Sequence, residues 1–494
     1  MSRRTAALLL CAWALLGGVG LSGAAGPDDP RGTDRYRPVL HNGRVKPFDS
    51  FARETLYQIT GRPAWGRQDP VETLRSILDE PNRWQEELIL SVPFVPLREA
   101  LGMSRKTTHI SYAQLVSERK LMRMLPPIVE KQQRDEKLSM LENETMDLYG
   151  RFVALSRLFQ REVGFVSPDS KDAPARWRLH LEVLYNRLRP FVIARILYTL
   201  ACLGLLVGLV RRGTGGSWGL VLLWAGFGIH LAGILARVIL GGRPPVSNFY
   251  ETMLWLPFVA VGLALLFERI HRTRWFALAA GIVAAIFLAL ADYVPLDPSI
   301  VPVVAVLRSN LWLSVHVLTI VASYGALALA TVLAHLAAGV TLFRPPQNRK
   351  RGENTRDQNA LELYLYRAIQ VGVVLLASGI MLGGVWANAS WGRYWGWDPK
   401  ETWALITLLW FLALLHGRFA GWIRGAWLSL GTIAGFFLLL MTYYGVSFYL
   451  VGLHSYAGGS AKPVPALLIG YVAAEVLFMA LVAVQAARGK SQAA

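Results

Sequence analysis

Long apolar runs separated by short polar breaks fill the chain from Pro190 onward. A helix needs about 20 apolar residues to cross the hydrocarbon of a bilayer, and these runs reach 17 residues or more. The pattern therefore predicts nine membrane spans, which lie at residues 191–210, 218–240, 252–268, 275–291, 312–341, 367–386, 402–421, 427–450 and 465–487.

Residues 26–188 are different, because they are polar and contain no apolar run long enough to span a membrane. Apolar positions recur at helical spacing in 86–90 and 138–159, which predicts a mostly helical soluble domain. Its opening segment, 41–62, predicts a turn at Asn42-Gly43 and then a helix that begins at Asp49 or Ser50.

The first 25 residues have the layout of a secretory signal peptide. A basic start at Arg3 and Arg4 precedes an apolar stretch, and small residues follow at 23–25. An uncleaved N-terminal anchor is the alternative. Cys11 follows Leu10, where a lipoprotein signal requires a small residue, so lipid anchoring is not expected.

Composition supports an integral membrane protein. Hydrophobic residues make up 53% of the 494 residues and charged residues 17%, with a mean hydropathy of +0.36.

The net charge of +18 does not indicate nucleic-acid binding, because the basic residues cluster in alternate short loops. By the positive-inside rule those loops are cytoplasmic, so the soluble domain lies outside. Two cysteines exclude a disulfide scaffold. The predicted fold class is all-α, a polytopic helical bundle with an N-terminal soluble domain.

The outward loop between the sixth and seventh predicted spans, residues 386–403, reads WANASWGRYWGWDPKETW. One or two tryptophans would fit an interfacial aromatic belt, but this loop has five. Their flat apolar faces suit stacking on a planar macrocycle. Asp398, Pro399 and Glu401 form a helix-capping pattern, and this helix start, with Lys400 and Arg393, offers positive charge to an anion. Apolar walls beside an anion site suit haem with its propionates.

The same loop resembles the tryptophan-rich WWD motif of haem-handling proteins in cytochrome c maturation. Three further segments resemble the CcsA/ResC-type cytochrome c biogenesis proteins: RPPVSNFYE at 243–251, LWLSVHV at 311–317 and GLHSYA at 452–457. The resemblance covers a transmembrane assembly domain at 189–490. It implies that the WWD loop binds haem through the following residues: Trp391, Trp395, Trp397, Asp398, Lys400 and Trp403.

Two histidines lie at the level of this loop. His316 is one turn inside the outer end of the fifth span, and His454 is just beyond the outer end of the eighth. A lone histidine at a membrane surface is more often an interfacial hydrogen-bonding residue. Two at one level beside a WWD loop match positions where the family carries its external haem ligands, so His316 and His454 are predicted as axial ligands of haem iron.

Two histidines lie deeper, about 16 Å (His230) and about 21 Å (His416) from the outer ends of their spans. Each could simply bridge two helices. The intramembrane haem site of the family implies that His416 is a ligand, with His230 as a candidate second ligand; in some members the partner supplies that ligand. His335, also in a span, matches no motif and is interpreted as structural.

The chain contains no C-x-x-C-H, no C-x-x-C and no P-loop. Covalently bound haem, dithiol chemistry and ATP coupling are therefore not expected of this chain.

The resemblance implies a subunit of a cytochrome c synthase in the inner (cytoplasmic) membrane. Such a subunit binds haem b as substrate or transient ligand and acts with a CcsB/ResB-type partner on apocytochrome c. The alternatives are a haem exporter or chaperone without a part in ligation, a bis-histidine redox subunit, and an ion-coupled transporter. No catalytic residue is assigned. The soluble domain is expected to dock the apocytochrome or the partner.

Overall fold

The computed structural model describes residues 34–134, 136–167, 169–211, 215–294, 296–302, 310–343, 353–450, 452–453 and 465–491. The predicted signal or anchor at 1–25 and the predicted ligand His454 lie outside the described residues.

The soluble domain opens with an antiparallel hairpin of β1 (Pro38–His41) and β2 (Arg44–Pro47). Asn42 (φ 50°) and Gly43 (φ 73°) form its turn, both in the left-handed region that a two-residue hairpin turn of this kind requires. The turn predicted at Asn42-Gly43 is thereby confirmed. The following helix begins at Phe48, one or two residues before the predicted start.

The described residues of this domain also form eight α-helices, a 3₁₀ turn (Asp34–Tyr36) and one more strand pair. The helices are α1 (Phe48–Thr60), α2 (Pro70–Asp79), α3 (Pro81–Glu86), α4 (Val95–Ala100), α5 (Tyr112–Glu118), α6 (Lys120–Gln133), α7 (Met140–Phe159) and α8 (Arg176–Leu188). The helical pattern at 138–159 is confirmed by α7, which a Ser139–Glu142 capping box begins. The buried core includes Leu56, Leu74 and Leu148.

The helical interpretation of 86–90 was wrong. Helix α3 ends at Glu86, and strand β3 (Leu90–Ser91) pairs with β4 (His109–Ile110). Five residues are too few for apolar spacing to separate a helix from a strand, and here a strand partner distant in sequence decides the conformation.

Nine helices of the described residues are long and apolar enough to cross a membrane, which confirms the nine predicted spans. The helices are the first span Pro190–Arg211, second Gly215–Gly241, third Phe249–His271, fourth Trp275–Tyr293, fifth Leu318–Phe343, sixth Glu353–Trp391, seventh Pro399–Phe419, eighth Ala426–Leu440 and ninth Ala466–Ser491. Two π-helical turns extend them: Leu313–Val317 precedes the fifth span, and Met441–Gly445, then helix Val446–Tyr449, follow the eighth.

The loop between the sixth and seventh spans is shorter than predicted. The sixth helix continues to Trp391, and its end coincides with Gly392, whose φ is 71°. The intervening residues Ala387 and Ala389 favour helix, so the helix extends beyond the purely apolar run. Of the predicted loop 386–403, residues 392–398 lie between the two helices.

The fifth span is the centre of the bundle. Two thirds (67%) of its apolar window is buried, against 6% for the ninth span, and the third, fourth, sixth and eighth spans all pack on it. Glycines let the sixth span approach closely. A Cβ atom at Gly372 would lie 2.5 Å from Leu327 Cδ2, and one at Gly379 would lie 2.6 Å from Ile320 Cδ1.

Helix α8 joins the soluble domain to the membrane bundle, because the first span starts directly after Arg189. Its Glu182 is buried and accepts hydrogen bonds from Ser50 Oγ (2.7 Å) and from both terminal nitrogens of Arg44 (2.6 and 2.7 Å). The hairpin and α1 are therefore fixed against the helix that leads into the membrane.

Candidate functional site

A cavity of about 400 Å³ lies at the end of the bundle that faces the soluble domain. Its walls come from residues 301–302, the starts of the third, fifth and seventh spans, both π-helical turns and the end of the sixth span. The residues that carry its chemistry are Ser247, Asn248, Phe249, His316, Tyr324, Trp386, Tyr394, Trp395, Lys400, Glu401, Tyr443 and Ser447. π-Helical turns are frequent at functional sites, because the extra residue in the turn re-aims side chains.

His316 lies in the first π-helical turn and lines this cavity. Its Nδ1 is 2.9 Å from the carbonyl oxygen of Gly379. Because a carbonyl can only accept, Nδ1 is the donor, and in the neutral ring Nε2 then carries the lone pair that a metal requires. Trp386 flanks the ring at 5.5 Å between centroids. A Cβ atom at Gly383 would lie 2.7 Å from His316 Cε1, so that glycine makes room for the imidazole.

The tryptophans of the loop divide into two groups. Trp395 lines the cavity, and so does Trp386, which is not among the predicted site residues. Trp397 is 70% exposed and has an unusual positive φ of 56°, and its ring meets that of Trp395 edge-on at 5.8 Å. Trp391 and Trp403 are not among the residues that line the cavity.

The predicted helix cap at the end of the loop is confirmed. Asp398 accepts from the backbone N–H of Lys400 (3.0 Å), and Glu401 accepts from that of Asp398 (3.2 Å). Asp398 also accepts from the backbone N–H of Leu453 at 2.6 Å. The cap thereby ties Leu453 to the loop.

Lys400 is the one cation among the described residues that line the cavity, and Glu401 is the one carboxylate. The Lys400 ammonium donates to Ser447 Oγ (2.9 Å) and to the Tyr443 carbonyl (3.3 Å). Glu401 is occupied by backbone N–H groups, including that of Gly396 at 2.8 Å. Lys400 therefore places a positive charge beside a largely apolar cavity, where an anionic group could pair with it.

The two deeper histidines have very different surroundings. His230 is fully buried; its Nδ1 meets the Tyr198 hydroxyl (3.3 Å), and its Nε2 meets the Leu254 carbonyl (3.1 Å). His416 is exposed on the seventh span, with Nδ1 on the carbonyl of Leu412 (2.7 Å) in its own helix. The hydrogen bonds of His230 thus run to the first and third spans, whereas the ring of His416 is on the outer surface of the bundle.

His335 lines a second, deeper cavity of about 680 Å³ whose walls are almost entirely apolar. Its Nε2 lies 3.0 Å from Glu475 in the ninth span, and its Nδ1 is 2.8 Å from the Thr331 carbonyl. These bonds agree with the structural role predicted for His335. Phe249, Tyr324 and Tyr443 belong to both cavities and form the wall between them.

Several cavity residues lie outside the motifs that predicted the site. Tyr443 and Ser447 lie in and beside the second π-helical turn, and neither belongs to a motif. Tyr443 donates or accepts at Thr252 (2.9 Å) and stacks on Phe249 at 4.6 Å. Phe249 belongs to the family segment RPPVSNFYE at 243–251. That segment is the feature of the sequence that points to this wall of the cavity.

Fold and site together define a polytopic helical membrane protein with an aromatic, histidine-containing cavity at one end of its bundle. The sequence model of the cytochrome C assembly protein family matches residues 246–454, which include His316 and the loop. The chain is 34% identical over 249 residues to the cytochrome c biogenesis protein CcsA of Prochlorococcus marinus subsp. pastoris, covering 45% of this chain and 78% of CcsA. The CcsA of a Synechococcus species is 36% identical over 243 residues, covering 44% of this chain and 78% of that CcsA. This chain belongs to the CcsA-type cytochrome c biogenesis proteins.

Protein NrfI of Wolinella succinogenes is 30% identical over 492 residues, covering 85% of this chain and 54% of NrfI. The chain therefore spans little more than half the length of NrfI. Residues 190–494 make up only about three fifths of this chain, so a match over 85% of it includes part of the soluble domain.

Proposed function

We propose that this protein binds haem in the 400 Å³ cavity and presents it to apocytochrome c, with a CcsB/ResB-type partner, outside the inner membrane. One observation carries the proposal: His316, oriented by Gly379 so that Nε2 is the ligating nitrogen, shares a cavity with Trp395 and Lys400. An axial ligand, a flat apolar wall and a cation for a propionate are three features that suit haem.

In this proposal His316 and His454 are the two axial ligands, and Lys400 pairs with a propionate. Trp395 and Tyr394 provide flat apolar surface beside the macrocycle. Asp398 caps the start of the seventh span and accepts a hydrogen bond from the backbone N–H of Leu453. The thiols of the apocytochrome add across the haem vinyl groups, each forming one C–S bond and transferring its hydrogen to the vinyl carbon. The protein contributes orientation and iron ligation.

We further propose that His416 binds haem within the membrane at an interface with the partner. Its exposure on the seventh span supports a ligand set completed by another chain. His230 would have to give up a hydrogen bond to ligate iron, which favours the helix-bridging role that the sequence left open. Because His230 and His416 lie on different parts of the bundle, the bis-histidine redox alternative gains no support.

The visible absorption spectrum of the purified protein tests the external site. We expect split low-spin bands in the wild type and their loss or strong weakening in the double variant His316→Ala with His454→Ala. His271→Ala is the matched control, because His271 contacts Phe276 and Tyr364 outside the cavity, and its spectrum should match the wild type. A haem-free wild type, purified with its partner and with haem supplied, would contradict the proposal.

Ligation is separated from simple haem export by the product. Co-expression of this chain and its partner with an apocytochrome should yield thioether-linked haem on the apocytochrome. Bound haem without any thioether product would instead identify a haem exporter or chaperone.

A further inference from the structure

The segment between the fourth and fifth spans forms one wall of the cavity. We call its described residues, 296–302, the strap. It has no regular secondary structure, and it contributes Val301 and Pro302 to the cavity lining. Irregular backbone holds its shape only where its polar groups find fixed partners, so the position of this wall depends on what binds the strap.

Arginine side chains provide those partners. Three guanidinium groups donate to three carbonyl oxygens of the strap: Arg237 to Pro298 (3.0 Å), Arg44 to Ile300 (3.0 Å) and Arg243 to Val301 (2.8 Å). Bonds from charged donors are about twice as strong as neutral ones. The strap is thus held at three of four consecutive peptide carbonyls.

Each arginine is itself fixed by a buried carboxylate. Arg237 and Arg243 both bind Glu251 at 2.8 Å, and Arg44 forms a two-pronged pair with Glu182. Such forked pairs restrict the orientation of the guanidinium group. The carbonyls of the strap therefore bind donors whose positions are already set.

Arg44 differs from the other two because it belongs to the soluble domain, in strand β2. The same domain touches the strap at two further points. The Tyr57 hydroxyl donates to the Leu296 carbonyl (3.4 Å). Gly43 packs against Pro302, because a Cβ atom added at Gly43 would lie 3.2 Å from Pro302 Cγ. The soluble domain thus contacts the strap along its length, including the residue that lines the cavity.

We propose that Arg44 is a positioning residue for the haem cavity: through it the soluble domain holds the strap and sets the cavity wall formed by Val301 and Pro302. This role rests on the proposed function of the cavity. It makes the soluble domain part of the architecture of the site, in addition to any docking role.

The first test is hydrogen–deuterium exchange of strap peptides in the haem-free full-length protein. Arg44→Lys keeps a positive charge beside Glu182. Its single ammonium group lacks the forked geometry with which Arg44 binds Glu182 and the Ile300 carbonyl together. Arg44→Gln removes the charge. We expect strap exchange to increase about tenfold in Arg44→Gln and less in Arg44→Lys. Arg53→Gln is the matched control, because Arg53 pairs with Asp49 and not with the strap.

The second test is the rate at which haem leaves the full-length protein for apomyoglobin. We expect about fivefold faster loss in Arg44→Gln, a smaller effect in Arg44→Lys and no change in Arg53→Gln. Unchanged strap exchange or unchanged haem loss in a folded Arg44→Gln protein would overturn the proposal; if Arg44→Gln does not fold, unchanged values in Arg44→Lys would overturn it instead. If the wild type never binds haem but strap exchange is faster in the Arg44 variants, the proposed haem-binding function fails. The role of Arg44 in holding the strap then still stands.

Discussion

Lys400 shows how a single residue sets the electrostatics of the cavity. Its ammonium is held by Ser447 and by the Tyr443 carbonyl, and no other lysine or arginine is among the described lining residues. Burying this charge is costly unless an anion compensates it. In the proposed haem complex, a propionate provides that compensation.

Replacement of this lysine should weaken haem binding without unfolding the protein. A hydrogen bond to a charged group contributes about 1.5–3 kcal/mol, so Lys400→Met should lower haem affinity by roughly tenfold or more. Arg393→Met is the control, because Arg393 is a cation of the same loop that does not line the cavity. Equal effects of both substitutions in a haem titration would contradict a specific role of Lys400.

His41 provides a residue-scale prediction in the soluble domain. Burial, with a smaller contribution from Lys46, lowers the pKa of His41 to about 4 from its ordinary value of 6.5. The fold thus favours the neutral ring. The contribution of neutral His41 to the stability of the folded state is complete above about pH 6.5 and is lost as the pH falls from there toward 4.

Opening of the β1–β2 hairpin, measured by hydrogen exchange and corrected for intrinsic rates, should therefore rise about tenfold between pH 7.5 and pH 5. His41→Gln should remove this excess. Glu54 lies 3.9 Å from His41 and has a pKa raised by burial, which gives the opposite slope, but it is present in both proteins and cancels in the comparison. The same pH dependence in both proteins would show that His41 is not responsible.

At the scale of elements, the contact between the fifth and sixth spans fixes the predicted ligand. Gly379 supplies the carbonyl that orients His316, and the absence of its side chain lets the two helices approach. The ligand geometry therefore depends on helix packing as well as on the histidine itself.

Gly379→Ala should disturb both properties. Its Cβ atom would lie 3.0 Å from Ile320 Cα, which is backbone and cannot move aside as a side-chain end can. Overpacking of this kind costs about 1–3 kcal/mol, so we expect lower thermal stability in detergent and altered haem bands. Gly470→Ala is the control, because nothing lies within 4 Å of a Cβ atom there. Equal stability of the two variants would exclude close packing at Gly379.

At the scale of the whole molecule, the nine spans of the described residues are an odd number, so the start of the first span and the end of the ninth lie on opposite sides of the membrane. The basic loops predict that the C-terminus is cytoplasmic and that the soluble domain is outside. A green fluorescent protein fused after residue 494 should fluoresce, and protease added to spheroplasts should digest the soluble domain. A protected soluble domain in intact spheroplasts would reverse the predicted orientation.

The sequence by itself determined the features that depend on short stretches of chain. Hydropathy predicted nine spans because the bilayer imposes one length and one polarity on every helix that crosses it. Local hydrogen bonding determined the Asn42-Gly43 turn and the Asp398 cap, whose partners are within a few residues. The composition of the loop and the family motifs indicated where the cavity would be.

Only the tertiary structure decided which groups meet there. The spans are apolar on all sides, so periodicity does not mark their buried faces, and packing alone places Tyr443 and Ser447 in the cavity, buries His230 between helices and leaves His416 outside. The clamp of Arg44 on Ile300 joins residues 256 positions apart, a separation at which no local pattern acts. Close packing of helices and long-range ion pairs depend on the whole fold, and for that reason they define the site while the sequence defines its elements.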